Sequence, residues 1–272
     1  MIDLNFPKSP WMGSEHLMLA DTCRHFYEKE CLPNYDFWEE RGHVGREIWR
    51  RAGEMGLLGA EVPEEYGGIG GTFAHDAVIA YQGNLAGIDG WGGGLHNAIV
   101  IPYIVHYGSE EQKKDLLPKL ISGELIGAIA MTEPSAGSDL QAIKTTAHID
   151  GNCYSISGSK TFITNGILAN LIILAVKTDP KAGAKGISLF LVETDRLEGF
   201  SRGRNLKKLG MKSNDTAELF FEIWRFRPQP FLGPEKEQVF IRMLRNPPQE
   251  GFLMVFMPVT NFRFLNYLLR RF

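Results

Sequence analysis

The spacing of the apolar residues changes near Ile126, and this change constrains the fold more than any other feature of the 272-residue chain. Up to about Leu125 the spacing is helical. Leu19, Cys23 and Phe26, then Ile48, Ala52 and Met55, then Val78, Tyr81 and Leu85 recur at three- and four-residue intervals, which places each trio on one helix face. Ser109-Glu110-Glu111-Gln112 supplies a capping box for a further helix, which Pro118 is expected to kink or end early. From Ile126 the period is two. Thr145 to Ile149, Cys153 to Ser157, Lys160 to Thr164, Leu171 to Val176, Gly186 to Val192 and Ala217 to Phe221 are short runs separated by Asp150-Gly151, Ser157-Gly158, Asn165-Gly166 and Asp179-Pro180. That pattern predicts an antiparallel sheet ending at Glu222. Helices followed by strands imply an α+β fold with segregated layers, divided as 1–125, 126–222 and 223–272. In the last segment, Glu235 to Asn246 predicts a helix that Pro247-Pro248 interrupts, and the apolar stretch Phe252 to Phe272 calls for a partner surface or a further domain.

Composition narrows the function classes. A hydrophobic fraction of 44% with 22% charged residues is that of an ordinary globular chain, and a net charge of -3 gives no electrostatic case for binding nucleic acid. Leu171 to Val176, the longest apolar run, is far too short to span a membrane. Cys23, Cys31 and Cys153 are odd in number, lack C-x-x-C spacing and have no histidines at metal-ligand spacing, so they are expected to be reduced thiols with no metal site. Met1 to Trp11 has neither an apolar core nor an arginine, so no signal or transit peptide is expected and a cytoplasmic location follows. The glycine-dense turns Tyr66 to Gly71 and Gly90 to Gly94 miss the G-x-G-x-x-G fingerprint, because Phe73 and Asn97 occupy the sixth positions.

Two segments carry chemistry. The apolar run Ile126 to Met131 delivers a hydroxyl and a carboxylate, Thr132 and Glu133, before Pro134 blocks further pairing. Ser135, Ala136, Gly137 and Ser138 are small enough for main-chain N–H groups to approach a phosphate. About two dozen residues later, Thr161, Phe162, Ile163 and Thr164 alternate, so a ring and a hydroxyl are expected on opposite faces of a strand that Asn165-Gly166 closes as a turn. Glu133 is expected to be a structural carboxylate binding nearby amides. Satisfied or surface roles are expected for His96, His106 and His148, packing for Trp91, and a solvated loop face for Arg202, Arg204, Lys207 and Lys208.

Five motifs in order resemble the acyl-CoA dehydrogenase family, and its long-chain members most. They are Val62-Pro63-Glu64-Glu65-Tyr66-Gly67-Gly68, Gly108 to Gln112, Thr132-Glu133-Pro134, Gly137-Ser138-Asp139 and Asp215 to Glu222. The resemblance runs from about Ser14 to Glu222. It implies an N-terminal helical domain, a central antiparallel β domain, and a C-terminal helical bundle of which most is absent. It also implies FAD as cofactor, with Ile129, Ala130, Met131, Thr132, Gly137, Ser138, Phe162, Ile163 and Thr164 as its contacts. Ser138 would additionally touch the CoA part of the substrate. The implied reaction is α,β-dehydrogenation of a fatty acyl-CoA, which needs a carboxylate base on the side of the substrate opposite the flavin. In the long-chain and isovaleryl-type members that base stands in a Leu-Pro-Gln-Glu-Arg segment. Pro247-Pro248-Gln249-Glu250-Gly251 matches it here and makes Glu250 the candidate base. The resemblance further implies an electron-transfer flavoprotein-type acceptor and a homotetramer. The alternative is a non-catalytic remnant that only binds.

Overall fold

The computed structural model describes residues 12–226 apart from 89, 152 and 196. The helix expected over 235–246 and the candidate base Glu250 lie outside the described residues. Helices come first: α1 Ser14–Phe26, α2 Tyr35–Arg41, α3 Arg46–Glu54, α4 Phe73–Leu85, the single turn α5 Gly93–Leu95, α6 Ile101–Tyr107 and α7 Glu110–Ile121. The expected trios fall on α1, α3 and α4, save that Met55 stands just past α3 as its C-cap. Cys23, Phe26, Ile48 and Ala52 join Trp49 and Trp91 in one buried cluster. The capping box forms at α7, where Gln112 N–H donates to Ser109 Oγ at 3.2 Å and Ser109 N–H to Gln112 Oε1 at 2.9 Å. Contrary to expectation, Pro118 does not end this helix, which runs on to Ile121 with the Pro118 carbonyl accepting from Ser122 N–H.

The strands are β1 Gly127–Ala130, β2 Thr146–Asp150, β3 Cys153–Thr164, β4 Leu171–Lys177, β5 Ile187–Glu193, β6 Phe200–Asn205 and β7 Thr216–Phe226. Four expectations about them need correction. The sheet is mixed, because β1 pairs parallel to β4 while β5 pairs antiparallel to β4. Ser157-Gly158 is no turn. Gly158, at φ 152°, carries β3 straight through where an added Cβ would stand 2.4 Å from Thr145 Oγ1, so only glycine fits against Thr145, just before β2. The sheet also continues past Glu222 to Phe226, and β6 flanks β7 where a solvated loop was expected.

β4 reads as one apolar run because both its faces are covered. Leu171, Ile173 and Ala175 pack with residues of α6 and α7, whereas Ile172, Leu174 and Val176 pack with Ile156, Leu219 and Phe221 of β3 and β7. The helical block is thereby seated on one face of the sheet.

His96 joins the two blocks. It is fully buried, its Nδ1 accepts from Gly127 N–H at 3.1 Å, and its Nε2 lies 3.1 Å from the Leu120 carbonyl. That pairing requires the neutral ring with its proton on Nε2. Burial pushes its pKa from 6.5 down to about 4, only partly opposed by the Leu120 bond. Between those values the unfolded chain binds a proton that the folded chain refuses, so stability falls as pH falls through this window and is flat above it. His96→Gln is expected to flatten the pH dependence by about 1.4 kcal/mol per pH unit at mid-window, measured by urea unfolding at a series of pH values. An unchanged slope would show that His96 is not the titrating group.

Candidate functional site

The turn after β1 is held by a buried ion pair. Glu133 Oε1 accepts from Lys160 Nζ at 2.8 Å, Thr145 N–H at 3.0 Å and Thr145 Oγ1 at 2.6 Å, while Oε2 accepts from Lys144 N–H at 2.5 Å. Lys160 also donates to the Met131 carbonyl at 3.0 Å. Glu133 therefore has the structural role its sequence position suggested. Lys160, which the sequence reading did not single out, is its partner. Burial pulls the lysine down to about 8, which leaves it charged at neutral pH. The main chains of Glu133 and Ala136 bond each other in both directions at 3.0 Å, and Thr161 N–H donates to the Thr132 carbonyl at 2.9 Å. Thr132 is thus fixed beside the end of β3.

There the expected alternation breaks. Between the pairs Lys160–Leu219 and Ile163–Ala217, β3 spends one residue more than β7, a bulge with Phe162 at φ 58°. A bulky residue rarely adopts positive φ without a compensating role. The bulge sends Ile163 into the core and holds Phe162 66% exposed. Ile163 and Ala130 are both buried in the cluster that also holds Ile172, Leu174 and Phe221. Ile129, Met131, Thr132 and Thr164 are half-buried, and Gly137 and Ser138 are exposed. An added Cβ at Gly137 would meet nothing within 4 Å.

The corner after Thr164 is stitched to both blocks. Asn165, at φ 62°, donates through Nδ2 to the carbonyls of Gly92 at 3.2 Å and Gly127 at 3.0 Å, and its own N–H donates to the Asp215 carbonyl at 3.0 Å. Gly92 packs closely on this side chain, since an added Cβ would lie 1.8 Å from Asn165 Oδ1 and force the amide to move. Asp215 accepts from Ile167 N–H at 2.7 Å and Leu168 N–H at 3.3 Å. Arg202 is exposed as expected, but it lies on β6 rather than a loop and donates to the carbonyls of Gly166 at 3.0 Å and Ala169 at 2.5 Å, which holds the same corner. Lys208 likewise binds Thr216 Oγ1 at 2.9 Å, whereas Lys207 and Arg204 are exposed as expected.

Thr164 opens onto a cavity of about 350 Å³ between α4, the Ile88 to Ile99 stretch and the Met211 to Asn214 loop. Its walls include Ile79, Ala80, Trp91 and Leu95, so it is largely apolar, and its volume is in the range of small-molecule sites. Trp91 meets the packing expectation through ring contacts with Phe26, Tyr27 and Trp49 while also lining this space. Among the described residues no cluster of three or more potential metal ligands occurs, and no helix is long and apolar enough to cross a membrane. Cys23 and Cys31 are buried free thiols, Cys23 pushed up to about 12 by burial, and Cys153 is a half-buried free thiol. The arrangement offers an exposed ring, two hydroxyls and an apolar cavity opening within two residues of that ring.

Comparison with known proteins places this geometry. Residues 13–124 match the family model for the acyl-CoA dehydrogenase N-terminal domain and residues 128–223 that for the middle domain. Long-chain specific acyl-CoA dehydrogenase of Sus scrofa mitochondria is 44% identical over 255 residues, covering 93% of this chain and 59% of that protein. The chain thus spans about three fifths of the length of this curated relative. The crystal structure of an acyl-CoA dehydrogenase from Geobacillus kaustophilus aligns with a TM-score of 0.87 at 46% identity, covering 93% of this chain and 67% of that one. An acyl-CoA dehydrogenase from Bacillus anthracis, complexed with FAD, aligns with a TM-score of 0.78 at 37% identity, over 88% of this chain and 40% of that one.

Proposed function

Because the chain belongs to the acyl-CoA dehydrogenase family, we propose that it serves FAD-dependent α,β-dehydrogenation of fatty acyl-CoA thioesters. The observation that carries this reading is the bulge in β3, which keeps Phe162 exposed beside Thr132 while Thr164 opens onto the apolar cavity. A planar, amphipathic ring system matches those residues. Phe162 offers an aromatic face, Ile129 and Met131 offer apolar edges, and the two threonine hydroxyls can donate or accept. The space outside Gly137 and the exposed Ser138 lets main-chain N–H groups meet a pyrophosphate, and Ser138 would also touch the CoA part of the substrate. Bound FAD would supply acceptance of a hydride from the substrate's β carbon.

The chain's own residues supply the rest. The cavity holds the acyl chain away from water, and Thr164 marks the end at which the thioester belongs. Glu250, on its match to the Pro-Gln-Glu segment of long-chain members, is the proposed acceptor of the α proton. An electron-transfer flavoprotein-type acceptor and a homotetramer complete the proposal.

Removing the Thr164 hydroxyl tests the flavin assignment. Thr164→Ala is expected to weaken FAD binding by about 1 kcal/mol, the usual net worth of one hydrogen bond, measured by titration of flavin fluorescence. Equal affinity in parent and variant would remove Thr164 from the flavin contacts.

A further inference from the structure

Three of the described non-glycine residues have positive φ. Phe162 belongs to the β3 bulge and Asn165 to the corner beside it. Met211, at 51°, is the third, and nothing in the proposed reaction uses it. It lies in the 206–215 connection from β6 to β7. At the tip of that connection Leu209, Gly210 and Lys212 are exposed, whereas Met211 is half-buried and borders the cavity together with Asn214. Anchors on both sides hold it there. Glu39 of α2 accepts from Ser213 N–H at 2.7 Å and from Ser213 Oγ at 2.8 Å. Asn205 donates to the Gly42 carbonyl at 2.7 Å, and Lys208 to Thr216 Oγ1 at 2.9 Å. Asn214 N–H closes a turn onto the Met211 carbonyl at 3.1 Å. Glycine takes such a backbone conformation at no steric cost. Methionine takes it against its preference, and a conformation of that kind persists only where the surrounding structure over-determines it. β7 starts at Thr216, the cross-strand partner of Thr164, so the connection leaves the sheet beside Thr164.

We infer that Met211 determines specificity at this cavity by filling its wall along the first carbons of the acyl chain, so that straight-chain thioesters are taken in preference to those with a methyl branch on the third carbon. The inference rests on the acyl reading of the cavity proposed above, with the thioester at Thr164. Truncating Met211 to Cβ frees more space than a methyl group occupies, and one such group against a filled apolar wall changes recognition by roughly tenfold or more.

The test is calorimetric titration of the full chain, supplemented with FAD, using dodecanoyl-CoA and 3-methyldodecanoyl-CoA. The parent is expected to bind the straight member roughly tenfold more tightly. Met211→Ala should bring the pair within about twofold by tightening the branched member, and Met211→Leu, of similar volume, should keep the parent's preference. Equal binding of both members by the parent would overturn the inference and leave the acyl reading standing. A preference unchanged in Met211→Ala would overturn it too, as would equal weakening of both members, the mark of a merely structural role. Failure of every thioester to bind would defeat the acyl reading and this inference with it.

Discussion

Lys160→Met is expected to destabilise the fold by about 3–5 kcal/mol, the usual cost of stripping one partner from a buried ion pair. The side chain of Lys160 is 0% exposed and that of Glu133 4%. The variant leaves a carboxylate sealed in the sheet with only the Thr145 and Lys144 donors. Burial by itself raises the Glu133 pKa, but the Lys160 bond, the Thr145 hydroxyl and the Lys144 amide outweigh it and hold the carboxyl below its ordinary 4.5. A carboxyl with a depressed folded-state pKa contributes stability that is complete above its unfolded value and is lost as pH falls through the folded one. The parent should therefore lose stability in acid more steeply than Glu133→Gln does. Replacing both partners by apolar residues, Lys160→Met with Glu133→Leu, should recover much of the loss. Urea unfolding of the four proteins checks this; a Lys160→Met effect below about 1 kcal/mol, the scale of an exposed pair, would contradict it. The same variant frees the turn that fixes Thr132, so it should weaken flavin binding as well.

Glu250→Gln is expected to slow dehydrogenation by roughly a hundredfold to ten-thousandfold, the range associated with loss of a general base, without changing FAD affinity. The amide keeps the shape of the carboxylate and cannot take the α proton. This assignment stands on the Pro248-Gln249-Glu250 match alone, with Gly251 where the family segment has arginine. Anaerobic stopped-flow with saturating acyl-CoA measures the rate. Equal rates in parent and variant would remove Glu250 as the base.

Much of the fold was legible because its signals are local. The trios on α1, α3 and α4, the Ser109 capping box and the Asn165-Gly166 turn each involve residues within a helical turn or two, where spacing determines contact. What was hidden depends on residues far apart. The parallel pairing of β1 with β4 leaves no mark on either strand beyond apolarity. Gly158 resembles a turn residue unless Thr145 is known to lie against it. β6 was missed because Ser201, Arg202 and Arg204 interrupt its apolar pattern; Arg202 bonds carbonyls that only the folded corner brings near. The bulge at Phe162 reads as plain alternation in the sequence.

In the proposed function the ring platform at Phe162 and the cavity behind Thr164 form one site, flavin on one side and acyl chain on the other. Anaerobic addition of palmitoyl-CoA to the FAD-loaded chain, following flavin absorbance near its long-wavelength maximum, tests it most directly. Loss of that absorbance is expected in the parent, at a rate that Glu250→Gln depresses at least about a hundredfold. A chain that binds both FAD and palmitoyl-CoA yet keeps its full flavin absorbance would contradict it.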